Sequence, residues 1–318
     1  MRKTIHNANI ELSVDVEGSG PLILCVHGWP ELSYSWRHQQ AHFAQIGYTV
    51  AAMDVRGYGE SSKPEAIAAY TLNELAADVA AVAAGLSDDP VILFGHDWGA
   101  PIVYNTALRY PDQIRAVAGL SVPYLPAGPT SSLDMWKALY ADRFFYQLYF
   151  QAPGVVEAEI QADLVSALRK IYFALSGDAP LNEWLKHKPA DAALLDDLSD
   201  PYPFPAWMTG TDMAVYTTAF EKGGFIGPFN RYRAQTLDVA QGDALVGRSL
   251  TQPTCFIAGE RDAVRNFIPG ADLYADPGAA CDDFRGATLI PGAGHWVQQE
   301  APAPVNQALA QFLLSLRK

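Results

Sequence analysis

The sequence predicts an α/β fold, a doubly wound parallel sheet interrupted by a helical insertion, and three observations predict it. Short apolar runs without polar alternation, Leu22-Ile23-Leu24-Cys25-Val26 and Val91-Ile92-Leu93-Phe94, have the pattern of strands covered on both faces. Helical periodicity separates such runs at the spacing of strand–helix–strand units. The alternation then stops near Pro123 and resumes after about residue 240 with Thr254-Cys255-Phe256-Ile257-Ala258.

Taken in order, residues 4–17 alternate polar and apolar (Ile10, Leu12, Val14, Val16), which predicts a half-exposed strand or hairpin. The strand after Pro21 ends in His27-Gly28-Trp29-Pro30. A helix over Tyr34–Ile46, a strand over Thr49–Asp54 and the turn Arg56-Gly57-Tyr58-Gly59 follow. Leu72, Leu75, Val79 and Val82 share one helix face. Val117–Val122 reads as the strand after Val91–Phe94. Between Pro123 and about 240 the chain is rich in aromatics (Phe144, Phe145, Tyr146, Tyr149, Phe150, Trp184, Trp207, Phe220), is broken by Pro201, Pro203 and Pro205, and contains no core-type strand. Thr288-Leu289-Ile290 is the last strand and Val305–Leu316 the closing helix. The expected division is a core of residues 1–124 and 241–318 with a helical cap of residues 125–240.

Composition narrows the function. Hydrophobic content of 49% and charged content of 18% suit a soluble globule. The net charge of -13, from 35 acidic and 22 basic residues with no Lys/Arg cluster, disfavours nucleic acid and anionic membranes as partners. Cys25, Cys255 and Cys281 are widely spaced; buried free thiols and a reducing compartment are expected. No apolar run approaches the ~20 residues of a membrane span. Met1-Arg2-Lys3 leads into polar Asn7, Asn9 and Glu11, not an apolar signal region, so the cytoplasm is the expected location. No His or Cys pair has zinc-ligand spacing, and Arg56-Gly57-Tyr58-Gly59 lacks the Lys and spacing of a phosphate loop. No metal or cofactor is expected.

The chemistry centres on Gly95-His96-Asp97-Trp98-Gly99. An apolar strand running into Gly-x-Asp-x-Gly and then a helix is the nucleophile elbow, with Asp where Ser usually stands. The turn strains the central residue and lifts its side chain clear, while Gly95 and Gly99 let strand and helix pass closely. A carboxylate, with a reference pKa of about 3.9, is ionised at neutral pH and needs no base to activate it. It can displace a leaving group from an sp³ carbon and leave an alkyl ester. The plainer role for Asp97 is a helix cap.

Asp262 and His295 complete the pattern. Each follows a strand of the resumed sheet, and their order, nucleophile then acid then His, is that of the α/β-hydrolase fold. No His other than His295 occurs after His187. Asp262 would fix the imidazole tautomer. Glu260 is its nearest competitor, and strand alternation would point both the same way, so loop position favours Asp262. The loop Pro123-Tyr124-Leu125-Pro126 offers no carboxylate. An ester intermediate also needs an oxyanion site, for which the backbone N–H groups of Trp29 and Trp98 are the expected donors. Pro30 has no N–H to give.

With these residues assembled, the sequence resembles the soluble epoxide hydrolases of the α/β-hydrolase superfamily. The likeness rests on His27-Gly28-Trp29-Pro30 with Ser35-Trp36-Arg37, on Asp54-Val55-Arg56-Gly57-Tyr58-Gly59-Glu60-Ser61, and on the elbow. It extends to Tyr146-Gln147-Leu148-Tyr149-Phe150-Gln151 with Pro153-Gly154, and to Gly294-His295-Trp296. The resemblance implies an eight-stranded, mostly parallel sheet with flanking helices under a helical cap. It implies a hydrophobic epoxide and water as substrates, no cofactor, and a monomer or homodimer. In that family two cap tyrosines hold the epoxide oxygen; Tyr146 matches the first and Tyr232, within Phe229-Asn230-Arg231-Tyr232-Arg233, the second. Arg231 stands where the family often has Trp, and Tyr149 and Tyr216 are the rival phenols. Substrate contacts are thus expected from Tyr146, Tyr232, Trp29 and Trp98. The neighbouring alternative is a haloalkane or haloacid dehalogenase, which shares the Asp nucleophile but has no use for a tyrosine pair.

Overall fold

A computed structural model describes residues 1–242 and 245–317. Its N-terminal hairpin pairs β1 (Arg2–Asn7) with β2 (Ile10–Gly18) antiparallel, and β2 pairs antiparallel with β4 (Thr49–Met53). The other neighbours in the sheet, β3 (Leu22–Val26), β4, β5 (Val91–His96), β6 (Ile114–Leu120), β7 (Thr254–Gly259) and β8 (Phe284–Ile290), run parallel. Among the described residues the result is an eight-stranded sheet in the order β1-β2-β4-β3-β5-β6-β7-β8.

The central strands β3, β5 and β7 are buried at every residue, which is why they read as unbroken apolar runs. Successive side chains still divide between two layers. Ile23, Cys25, Ile92 and Phe94 pack with Phe43 of α1 (Arg37–Gln45) and Val305 and Leu309 of α12 (Pro302–Ser315). Leu24, Val26 and Leu93 pack with Val79 and Val82 of α2 (Leu72–Leu86) and with Ile102 and Val103 of α3 (Gly99–Arg109). This second core continues into the chain between β6 and β7.

That inserted chain is helical: α4 (Ser132–Leu139), α5 (Tyr146–Tyr149), α6 (Val155–Ala162), α7 (Leu164–Ala174), α8 (Gly210–Gly223), α9 (Ile226–Arg233) and α10 (Gln235–Gly242). No strand interrupts them among the described residues. After β8 a short α11 (Val297–Glu300) precedes α12. Residues 243–244 and 318, which fall in the expected return to the core, lie outside the described residues.

Some boundaries differ from the sequence expectation. β6 begins at Ile114 and stops at Leu120, where Ser121 turns the chain at a φ of 64°. β8 begins at Phe284, four residues before the expected Thr288. It is an edge strand exposed along most of its length, so Arg285 and Gly286 carry no apolar signal there. The helix expected from Tyr34 starts as a 3-10 turn over Ser33–Trp36 and becomes α-helical at Arg37. No described helix is long and apolar enough to cross a membrane.

Candidate active site

The elbow is shaped by three glycines. A Cβ on Gly95 would lie 2.4 Å from the Gly99 carbonyl oxygen, and one on Gly99 would lie 2.0 Å from the Val26 carbonyl oxygen. β5 and α3 meet at backbone distance, and Asp97 between them is held at a φ of 51°. A Cβ on Gly28, in the loop after β3, would lie 2.1 Å from Asp97 Oδ1 and 2.6 Å from the Trp98 nitrogen. That loop closes over the carboxylate, and the Trp29 N–H donates to Asp97 Oδ1 at 2.6 Å. The Trp98 N–H meets no acceptor among the described residues.

The other Asp97 oxygen, Oδ2, lies 3.4 Å from His295 Nε2. On the far side of the ring, His295 Nδ1 is 3.1 Å from both oxygens of Asp262. Asp262 is buried and also accepts from the Val264 N–H at 2.9 Å and the Tyr274 hydroxyl at 2.8 Å. Burial alone would lower the basicity of His295. The Asp262 and Asp97 carboxylates outweigh it and hold the imidazole well above its ordinary range. Glu260 is exposed. β7 stops at Gly259 and the Asp262 N–H turns back to the Gly259 carbonyl, so residues 260 and 262 do not share a direction, contrary to the alternation expected from sequence.

Tyr146 and Tyr232 are buried and line one cavity together with Asp97, His295, Trp29, Trp184, Leu175, Val264 and Phe267. Their ring centroids are 5.9 Å apart, and Tyr232 stands edge-on to Trp98 at 5.4 Å. Gln147 Nε2 donates to the Tyr146 hydroxyl at 2.9 Å, and neither phenol donates to a protein acceptor among the described residues. Burial, with the Asp97 charge adding to it, pushes the ionisation of both upward, so both remain proton donors at neutral pH. The rivals are engaged elsewhere. The Tyr149 hydroxyl donates to Glu159, and that of Tyr216 lies between Ser35 and Gln299. Arg231 lays its guanidinium on the Trp98 ring at 4.7 Å while pairing with Asp238.

The family model for the alpha/beta hydrolase fold matches residues 21–191. Epoxide hydrolase A of Mycobacterium tuberculosis (strain ATCC 25618 / H37Rv) is 37% identical over 304 residues, covering 94% of this chain and 92% of the relative. The chain belongs to the epoxide hydrolase family of α/β hydrolases. Solved structures agree with this membership. An epoxide hydrolase from an endophytic Streptomyces superposes with a TM-score of 0.95 at 40% identity, covering 100% of this chain and 96% of the other. Epoxide hydrolase A from Mycobacterium thermoresistibile superposes with a TM-score of 0.91 at 38% identity, covering 98% of each chain.

Around the candidate site, this hydrolase has a supporting layer that the sequence did not reveal. His96 Nε2 contacts the His295 carbonyl at 2.7 Å, and its Nδ1 lies 2.6 Å from the buried Glu31 carboxylate. Glu300 Oε2 accepts from the N–H groups of Gly294 (2.9 Å) and Gly177 (2.7 Å), and Oε1 from that of Trp296 (2.9 Å). The His295 N–H donates to the Leu175 carbonyl at 2.8 Å. The bonds of His96 to Glu31 and His295, of Glu300 to Gly177 and of His295 to Leu175 join residues far apart in sequence, and no local motif marks them. The cavity itself is small, about 10 Å³, close to the least space that holds one water molecule. No group of three His, Cys, Asp or Glu among the described residues could hold a metal.

Proposed function

We propose that this chain hydrolyses hydrophobic epoxides to vicinal diols through a covalent ester on Asp97. The Oδ2 oxygen of Asp97 attacks an epoxide carbon and the ring C–O bond breaks. The leaving oxygen is an alkoxide, a poor leaving group unless it is stabilised. Tyr146 and Tyr232 donate to it and one of them protonates it; each such donor contributes on the order of 3 kcal/mol to the transition state. Oδ1 becomes the ester carbonyl oxygen and faces the N–H groups of Trp29 and Trp98. Ester formation also removes the negative charge of Asp97, one of two carboxylates that keep the imidazole protonated. His295, oriented by Asp262, thereby gives up its proton, which restores the phenol that protonated the alkoxide, and the neutral imidazole is released to act as a base. It takes a proton from water, the water attacks Cγ of Asp97, and collapse expels the diol.

The reading is carried by one arrangement: a carboxylate nucleophile and two phenols without protein acceptors facing one cavity. A haloalkane would gain nothing from the phenols. In the same reading, residues 125–240 form the cap that supplies them. The test is a single turnover of styrene oxide in ¹⁸O-water. The label is expected on Asp97 with an essentially unlabelled diol; label mainly in the diol would mean direct attack by water and overturn the ester.

A further inference from the structure

Tyr146 and Trp184 wall the catalytic cavity on one side, and the same two residues line a separate hollow of about 160 Å³ beyond it. Their rings touch at 5.3 Å between centroids. Phe267 lies on the catalytic side of this boundary and Asn266 on the outer side. Trp184 sits in irregular chain after α7, whereas Tyr146 belongs to α5 and is needed where it is. Moving Trp184 aside is thus the change that would join the two spaces without disturbing the phenols.

The hollow has an unusual charge for this protein. The chain carries a net charge of -13, yet Arg143 and Lys186 line the hollow and no Asp or Glu does. The next depression outward shares Arg143 and adds Lys137, again with no carboxylate in its lining. Lys186 is neutralised by Glu183 at 2.7 Å, and Lys137 pairs with Asp134 at 3.2 Å. Arg143 is different. It makes no ion pair among the described residues, and its guanidinium rests on the Tyr140 ring at 4.6 Å. That stacking fixes the plane of a half-buried fork whose donors suit a carboxylate.

We infer that Arg143 is a specificity-determining residue that selects epoxides carrying a carboxylate at the far end of a short alkyl chain. Building on the epoxide reading, the ring oxygen lies between Tyr146 and Tyr232, the alkyl chain passes Trp184, and the carboxylate meets Arg143. A neutral epoxide of the same length occupies the joined space but leaves the cation unpaired.

The test compares a series of terminal-epoxide alkanoic acids with their primary amides. At the best chain length kcat/KM is expected to be about tenfold higher for the acid at low ionic strength, and the gap to narrow as salt is added. Arg143→Gln should bring the acid-to-amide ratio close to one, and Arg143→Lys should keep most of it. A ratio near one in the wild type at every chain length, or a ratio unchanged in Arg143→Gln, overturns the assignment of Arg143 while leaving the Asp97 chemistry intact. Failure to open acids, amides and styrene oxide alike would instead remove the epoxide reading and this inference with it.

Discussion

His295 Nε2 faces Asp97 Oδ2 across 3.4 Å while Asp262 closes on the opposite nitrogen, so one imidazole is held between two carboxylates. The pair raises its pKa in the folded protein against the cost of burial. A group raised on folding contributes stability that is fully present below its unfolded value, ~6.5 for His, and is lost as pH rises through the folded value. Titration of His295 by NMR should therefore show an imidazolium persisting above pH ~6.5. Asp97→Asn, which removes one carboxylate charge as ester formation does, should shift that titration downward. An unchanged titration would mean that Asp97 does not set the protonation of His295.

His295→Gln should separate the two halves of the reaction. Alkylation of Asp97 remains possible and hydrolysis loses its base, so the ester accumulates and the intact protein gains the mass of one substrate. Rapid multiple turnover by this variant would exclude His295 as the group that activates water.

Tyr146→Phe and Tyr232→Phe should each slow ester formation by roughly 10²-fold, the scale of one lost donor to a developing oxyanion. Rapid-mixing fluorescence reads this step directly, since Trp29 lines the cavity beside the phenols. Neither hydroxyl donates to a protein acceptor, but that of Tyr146 accepts from the buried Gln147 amide, so Tyr146→Phe should lower the melting temperature and Tyr232→Phe should lower it less.

Gly28→Ala should abolish most activity without unfolding the chain. The new methyl would fall 2.1 Å from Asp97 Oδ1, so the carboxylate or the Trp29 N–H must move. A variant with wild-type kcat/KM and an intact fold by circular dichroism would show that the loop after β3 yields freely.

Glu300 links stability to pH with the opposite charge type. Burial, opposed by its three N–H donors, pushes its carboxyl up to about 7, with the Asp262 charge adding to the rise. Between the ordinary carboxyl value of ~4.3 and about 7 the folded state holds a proton that the unfolded state has lost, so stability falls as pH rises through that window. Denaturant melts from pH 4 to 8 should show this decline, and Glu300→Gln should flatten it.

The fold and the candidate triad were legible because each member stands at the end of a strand with its own apolar signature. Asp97 follows Val91–Phe94, Asp262 follows Thr254–Ala258, and His295 follows Thr288–Ile290. Tyr146 and Tyr232 were singled out only through resemblance, since nothing in local periodicity separates a phenol that lines this cavity from the chain's other tyrosines. His96, Glu31, Tyr274 and Glu300 were not legible at all. Their partners are set by the packing of distant loops, and Glu300 closes on residue 177 from across the inserted chain. Arg143 escaped notice for a related reason: a lone cation acquires meaning only from the carboxylates that are absent around it.

The seam between Leu175–Gly177 and Gly292–Trp296 limits how this molecule can breathe. A Cβ on Gly177 would lie 1.9 Å from the Gly292 carbonyl oxygen, one on Gly294 would lie 2.4 Å from the Gly177 nitrogen, and Glu300 bolts the two stretches together. A rigid outward swing of the inserted chain would have to break the bonds from Glu300 to Gly177 and from the His295 N–H to the Leu175 carbonyl. An opening confined to the chain beyond residue 177 would leave these contacts, and with them the position of His295, in place.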